Sequence, residues 1–306
     1  MLLRVLLLLL FLPLTAAAGI VEDVRFALAR NDLQTAANML AAYRAQRGLD
    51  AEYADALSWV GRAELASGYL DQANKAAQET QKLAIQLLNN SKLDLQPHLA
   101  NALGSAFEVQ AQALSKQGQT QKAALLLRQA LRTYGQTSIR ARLQKNLNLL
   151  TLLGKPAPPL AIAEYLGAKP RPLSALKGSV VLLFFWAHWC GDCKAEEPVI
   201  ARLQAELPSR DFVVVAPTQR YGYAGAQDNI SPQQEKQYIE AVRQRYYSQL
   251  SEVAIPISKA NFDLYGASTT PTLVLLSRNG NVALYHPGAM VYGDLRSEIE
   301  KLLKSH

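Results

Sequence analysis

Apolar residues fall into two regimes along this chain. From Val21 to about Leu153 they recur at helical spacing in a background rich in Ala, Leu and Gln with one proline, Pro97, a period that predicts an all-helical segment. The stretch 154–159, Gly-Lys-Pro-Ala-Pro-Pro, interrupts that period. Its prolines remove amide donors and hold the backbone away from the helix, which marks a domain boundary. Beyond it, residues 180–186, 212–216, 272–276 and 282–285 read as short strands. Helices are predicted to begin near Cys190 and to span 231–248 and 294–304. Ser231, followed by Pro232 and by Gln234 three positions on, is a strong helix start. Strands alternating with helices, then two strands joined through Asn279-Gly280, predict a mixed sheet with helices on both faces.

Within the helical part, three turn residues each precede an alanine by five positions: Asn31 and Ala36, Gly68 and Ala73, Gly118 and Ala123. Each pair reads as the tight turn and second helix of a helical hairpin. The turns stand 37 and 50 residues apart, an irregular period beside the ~34 of tetratricopeptide repeats, which the hairpins resemble. Any antiparallel bundle would also want small residues at close helix crossings, so that alternative stays open.

Residues 1–18 read as a secretory signal, with Arg4 at its start, an apolar core over residues 5–12 and Ala16-Ala17-Ala18 as a small-residue cleavage site. Cleavage near Ala18 is expected, leaving a chain that begins at Gly19; an uncleaved membrane anchor is the alternative. The expected organisation is therefore signal 1–18, helical domain 19–153 and mixed-sheet domain 154–306, an α+α/β two-domain chain. Export suits disulfide chemistry, because thiols in the cytosol are held reduced.

Charge is shared unevenly. Lys and Arg outnumber Asp and Glu by 16 to 11 over residues 19–155 and by 15 to 14 over residues 156–306. No acid lies between Glu108 and Glu164, whereas Lys116, Lys122, Arg128, Arg132, Arg140, Arg142, Lys145 and Lys155 do. This predicts a basic face on the last helices, suited to an acidic protein or an anionic membrane surface, or simply a solvated face. No nucleic-acid partner is expected.

Two cysteines complete the picture, in Trp186-Ala187-His188-Trp189-Cys190-Gly191-Asp192-Cys193-Lys194 directly after an apolar strand. At the first turn of a helix, free amides and the helix dipole stabilise a Cys190 thiolate and hold its pKa below the ~8.5 of a free thiol. Cys193 lies one turn on, within disulfide reach. A structural disulfide is disfavoured, since closing so short a loop constrains the unfolded chain little. A zinc site is disfavoured too, because the four histidines, His98, His188, His286 and His306, offer no paired spacing. A buried inert pair stays open but is disfavoured by the flanking tryptophans and the helix start, so motif and context together favour redox chemistry, with no metal and no cofactor other than the Cys190–Cys193 disulfide itself.

These residues resemble the TlpA-like (ResA-like) thioredoxins of bacterial envelopes. The resemblance covers about half the chain. It runs through Pro156-Ala157-Pro158, Leu173-Ser174-Ala175-Leu176-Lys177-Gly178, the Trp-Cys-x-x-Cys-Lys run, Glu196 and Pro198, and Thr270-Pro271-Thr272. It implies a thioredoxin-like sheet and catalysis of thiol–disulfide exchange by Cys190 and Cys193, supported by Trp189, Gly191, Asp192, Glu196, Thr270 and Pro271. By the same resemblance Pro271 is cis and faces the cysteines, Thr270 offers its backbone to an extended substrate, and Glu196 either relays a proton to Cys193 or is a solvated first-turn acid.

Two departures matter. Asp192 stands where the family commonly has proline; at ~7 Å its charge opposes a thiolate by roughly 0.5–2.5 kcal/mol, which favours reduction of substrates over oxidation. Phe184 occupies the place of the buried acid of thioredoxins proper, so that proton relay is not carried over. His188 reads as an exposed position beside the motif or as an electrostatic tuner. The segment 218–230 follows a strand expected to run parallel to the one before Cys190, which makes Tyr221 and Tyr223 candidates for substrate contact, or the whole segment a connector.

The predicted function is an extracytoplasmic thiol–disulfide oxidoreductase that reduces or isomerises disulfides of envelope proteins. Its partners are clients with disulfides or dithiols and a membrane donor of thiol electrons, since the chain has no nicotinamide or flavin motif. A non-catalytic helical adaptor that borrows the thioredoxin surface is the alternative. Copper delivery lacks suitably spaced Met and His ligands.

Overall fold

A computed structural model describes residues 19–250 and 252–304; the expected signal segment lies outside the described residues. Seven helices come first: α1 (Ile20–Ala29), α2 (Leu33–Arg47), α3 (Ala51–Ala66), α4 (Leu70–Leu88), α5 (Pro97–Lys116), α6 (Thr120–Tyr134) and α7 (Arg140–Thr151). They pair as antiparallel hairpins for local reasons. Asn31, Gly68 and Gly118 adopt the left-handed backbone that reverses the chain between α1 and α2, α3 and α4, and α5 and α6. Asp32 and Asp50 cap α2 and α3 by accepting the amides of Thr35 and Tyr53 at 2.9 and 2.8 Å. Ala36, Ala73 and Ala123, the small residues after each turn, are fully buried.

The remainder runs β1 (Tyr165–Gly167), β2 (Val180–Phe185), α8 (Gly191–Glu206), β3 (Phe212–Val215), β4 (Tyr223–Ala224), β5 (Gln227–Asp228), α9 (Pro232–Tyr246), β6 (Ala254–Pro256), α10 (Lys259–Tyr265), β7 (Thr272–Leu276), β8 (Val282–Pro287) and α11 (Tyr292–Lys304). Six strands form one sheet in the order β1-β6-β3-β2-β7-β8. β2 runs parallel to β3 and antiparallel to β7. The strands β1 and β6 and the helix α10 go beyond the sequence expectation. β6 is three residues ending in proline and meets β3 at one register pair, Val215 with Ala254, too short a run to show a period.

All six residues of β2 are buried, and alternation sends them to two different cores. Val180, Leu182 and Phe184 pack with Ile200 and Leu203 of α8, Ile239 of α9, and Leu295 and Ile299 of α11. Val181, Leu183 and Phe185 pack with Phe262 and Tyr265 of α10 and with Leu152, just after α7. The helical half therefore supplies part of the cover for one sheet face. Main-chain bonds extend the join: Gly154 donates to the carbonyl of Val282 at 2.8 Å, and Val282 donates to that of Lys155 at 2.9 Å.

The basic run is less available than its sequence implies. Lys145 and Arg142 turn inward onto Glu108 at 2.9 and 3.1 Å, and Arg140 faces Asp263 at 3.8 Å. Lys116, Lys122, Arg128, Arg132 and Lys155 remain exposed. Among the described residues no helix is long and apolar enough to cross a membrane.

The halves approach closely at Gly266, the left-handed cap of α10 (φ +63°), where a Cβ would lie 2.2 Å from the Lys145 backbone nitrogen. Both the backbone conformation and the lack of space require glycine. Gly266→Ala is predicted to destabilise the protein by at least about 2 kcal/mol, read as a lower urea midpoint; an unchanged midpoint would show that α7 and α10 do not meet this closely.

Candidate active site

The chain leaves β2 at Phe185 and makes a short turn before α8. Two clips from the neighbouring strand fix that turn: the Trp186 indole donates to the Ala216 carbonyl at 3.0 Å, and the Thr218 hydroxyl donates to the Trp186 carbonyl at 2.9 Å. Cys190 then occupies the N-cap of α8 with extended backbone, and its Sγ accepts the amide of Cys193 at 3.0 Å. The two sulfurs form a disulfide with Cα atoms 5.3 Å apart. Cys190 is 3% exposed and Cys193 wholly buried, so the first cysteine is the residue nearer solvent. Gly191 and Asp192 between them are exposed, as is half of Trp189.

The Thr270–Pro271 bond is cis. The next residue, Thr272, is the register partner of Phe185, which brings Pro271 to the end of the sheet where β2 turns toward Cys190. Pro271 is buried, its carbonyl accepts the amide of Gly288 at 2.8 Å, and the Thr270 hydroxyl is buried without a partner.

One helical turn beyond Cys193 lie two carboxyl groups. Glu196 is 3% exposed and Glu197 4%, so neither is a solvated first-turn acid; Glu197 was not anticipated. Both oxygens of Glu196 stand 3.3 Å from the Met290 amide, and Glu197 accepts the Gln249 amide at 3.2 Å. Burial pushes both pKa values up, with the single amide donors pulling the other way. At positions i+3 and i+4 from Cys193 they share its face of the helix, one turn from the thiol, each with its proton held more tightly than on a solvated carboxyl.

His188 corrects the expectation of an exposed position: it is 1% exposed. The ring sits among Tyr221, Tyr223 and Tyr238, with Nε2 3.4 Å from Glu235 Oε1. Burial lowers its pKa, and the Glu235 carboxylate opposes that shift. Glu235 also accepts the amides of Tyr221 and Gly222. The segment 218–230 is thus an anchored loop carrying the small β4–β5 hairpin. Tyr221 packs edge-on against Trp189 with ring centroids 5.6 Å apart, and its burial pushes its phenol up to about 12. Tyr223 packs on His188 and stands 6.3 Å from Tyr221 between ring centroids. Sequence reasoning missed the His188–Glu235 pair because its members are separated by α8 and β3 and follow no spacing rule.

Comparison with known proteins agrees with this geometry. Residues 174–303 match the model of a thioredoxin-like domain. The chain is 26% identical to the thioredoxin-like protein YneN of Bacillus subtilis over 151 residues, 48% of this chain and 78% of that protein. It is 23% identical to the thiol–disulfide oxidoreductase ResA of Geobacillus thermodenitrificans over 150 residues, 49% and 78% of the two chains. A 75-residue stretch is 37% identical to ResA of Oceanobacillus iheyensis, covering 24% and 39%. The C-terminal half is a thioredoxin-like domain homologous to the ResA/TlpA-like thiol–disulfide oxidoreductases, and it carries a Cys-x-x-Cys pair at 190–193.

A carboxyl whose pKa is raised on folding contributes stability that is fully present below its unfolded pKa and is lost as pH rises through the folded value. Glu196→Gln is therefore predicted to be more stable than the parent at about pH 8, with a shallower loss of stability above about pH 5. Urea midpoints across that range check it, and parallel curves for the two proteins would refute a raised Glu196 pKa.

Proposed function

We propose that this chain is an extracytoplasmic thiol–disulfide oxidoreductase that reduces or isomerises disulfides in envelope proteins. The observation that carries the reading is Cys190 at the N-cap of α8, its sulfur hydrogen-bonded to the amide of Cys193, on a domain homologous to such oxidoreductases. In the reduced protein the Cys190 thiolate attacks one sulfur of a client disulfide, forming a mixed disulfide and releasing the other client sulfur as a thiolate. Cys193, deprotonated with Glu196 or Glu197 as proton acceptor, attacks Cys190 Sγ. The second client thiolate leaves, and the Cys190–Cys193 disulfide forms. The client gains two electrons and two protons, which a membrane dithiol donor returns to the enzyme. In isomerisation a client thiol displaces Cys190 instead, with no net electron transfer.

Several features of the surface support this assignment. Tyr221 packs on Trp189, the residue before Cys190, and the loop 218–230 leaves the carboxyl end of β3, which is parallel to β2, where binding crevices of such sheets lie. The backbone of Thr270 beside cis Pro271 is the proposed docking edge for an extended client segment. The hairpins of residues 19–153 are proposed to be a tetratricopeptide-like partner-binding domain, with the exposed Lys116, Lys122, Arg128 and Arg132 available to an acidic protein or anionic membrane. Residues 1–18 are proposed to direct export, with cleavage near Ala18.

Purified protein with a dithiol donor is predicted to reduce insulin disulfides, and Cys190→Ser to lose at least about a hundredfold of that rate. Cys193→Ser should accumulate mixed disulfides on Cys190 when expressed in the native host, releasing named clients on reduction. No insulin reduction by the parent protein would leave only the adaptor reading, and full activity in Cys190→Ser would remove Cys190 from the reaction.

A further inference from the structure

The exchange reaction makes no use of the most deeply buried ionisable pair beside it. His188 lies two residues before Cys190 and is 1% exposed; Glu235, from the first turns of α9, is also 1% exposed. Three tyrosine rings meet the imidazole edge to face, Tyr221 at 5.4 Å, Tyr223 at 5.1 Å and Tyr238 at 5.3 Å between centroids. Glu235 holds the amides of Tyr221 and Gly222 with its two oxygens while Oε1 faces the imidazole. A buried carboxylate is tolerated only where such partners replace its water.

Beyond this cluster the loop is held at its base, where Arg220 pairs with Glu164 and donates to the Pro232 carbonyl at 3.0 Å. β4 and β5 contribute two residues each, and a two-stranded hairpin that small is not stable on its own. Gly222, Gly225 and Asn229 take left-handed backbone, and residues 225–229 are exposed. Past that base the loop is fixed through Tyr221, Gly222 and Tyr223, and all three are tied to either His188 or Glu235. Tyr221 then passes that placement to Trp189, the exposed ring next to the reactive sulfur.

We propose that His188 is a positioning residue for client recognition: through Glu235 and the tyrosine rings it clamps the 219–230 loop as one wall of the crevice beside Trp189 and Cys190. The inference deepens the oxidoreductase reading and rests on it. It assigns the loop to binding of folded or extended polypeptide, whereas a small disulfide reaches Cys190 without needing that wall.

The test compares two substrates on the full chain. His188→Ala is expected to raise KM for insulin at least about tenfold while changing kcat/KM for dithiobis-nitrobenzoate by less than about twofold. Glu235→Gln, which keeps the shape but weakens the acceptors, should move insulin KM in the same direction. Tryptic cleavage after Arg220, at the base of the loop, should accelerate in both variants. Where His188→Ala does not fold, His188→Phe keeps the ring packing without a nitrogen toward Glu235, and an insulin KM raised at least about threefold is expected. Unchanged insulin KM together with unchanged cleavage would overturn the clamp, as would equal losses on both substrates, which mark a general structural role. If the parent protein reduces neither substrate, the oxidoreductase reading itself fails, and the cleavage rates still decide whether His188 holds the loop.

Discussion

The N-terminus of α8 is the feature on which the molecule's chemistry depends. A helix begins with unpaired amides and a partial positive charge, and here the group offered to them is a sulfur: Cys190 Sγ accepts the Cys193 amide. An ionised sulfur is stabilised at that point far better than along an ordinary turn. The position is held by strand pairing. The indole of Trp186 and the hydroxyl of Thr218 tie the turn to the end of β3, so the parallel β2–β3 contact decides where the helix starts. The register of β7 brings Pro271 to the same end of the sheet.

Support for that arrangement comes from both sides of β2. On one face α8 itself, with α9 and α11, buries the even-numbered residues of the strand; on the other, α10 and Leu152 bury the odd-numbered ones. Because Leu152 follows α7 and the 154–155 backbone pairs with Val282, the helical half is built into the sheet domain's core. The close contact at Gly266 belongs to the same join. Hairpins that held a partner would therefore hold it at a fixed place relative to the sulfurs.

Much of this was legible because the signals are local. The apolar run of β2, the cysteine pair after it, the Ser231 capping box and the turn residues Asn31, Gly68 and Gly118 each act within a few positions of sequence. The strands β1 and β6 were not legible, since three residues carry no period and their pairing is with distant partners. Burial misled in the same way. His188, Glu196 and Glu197 are polar and follow or flank a reactive motif, where exposure is the ordinary expectation. What covers them arrives from Glu235, Met290 and Gln249, contacts set by the packing of α9, α11 and the loop before it. The basic run 116–155 reads as one face in sequence, yet Glu108 draws Arg142 and Lys145 inward.

The central claim is that folding makes two chemically identical thiols unequal. It is tested most directly by reducing the native protein, alkylating it with iodoacetamide over a range of pH and mapping the modified residue. Cys190 alone should react, and at pH values where a free cysteine is still largely protonated, with Cys193 protected until the chain is unfolded. Equal labelling of both sulfurs, or none of either in the native state, would contradict the account.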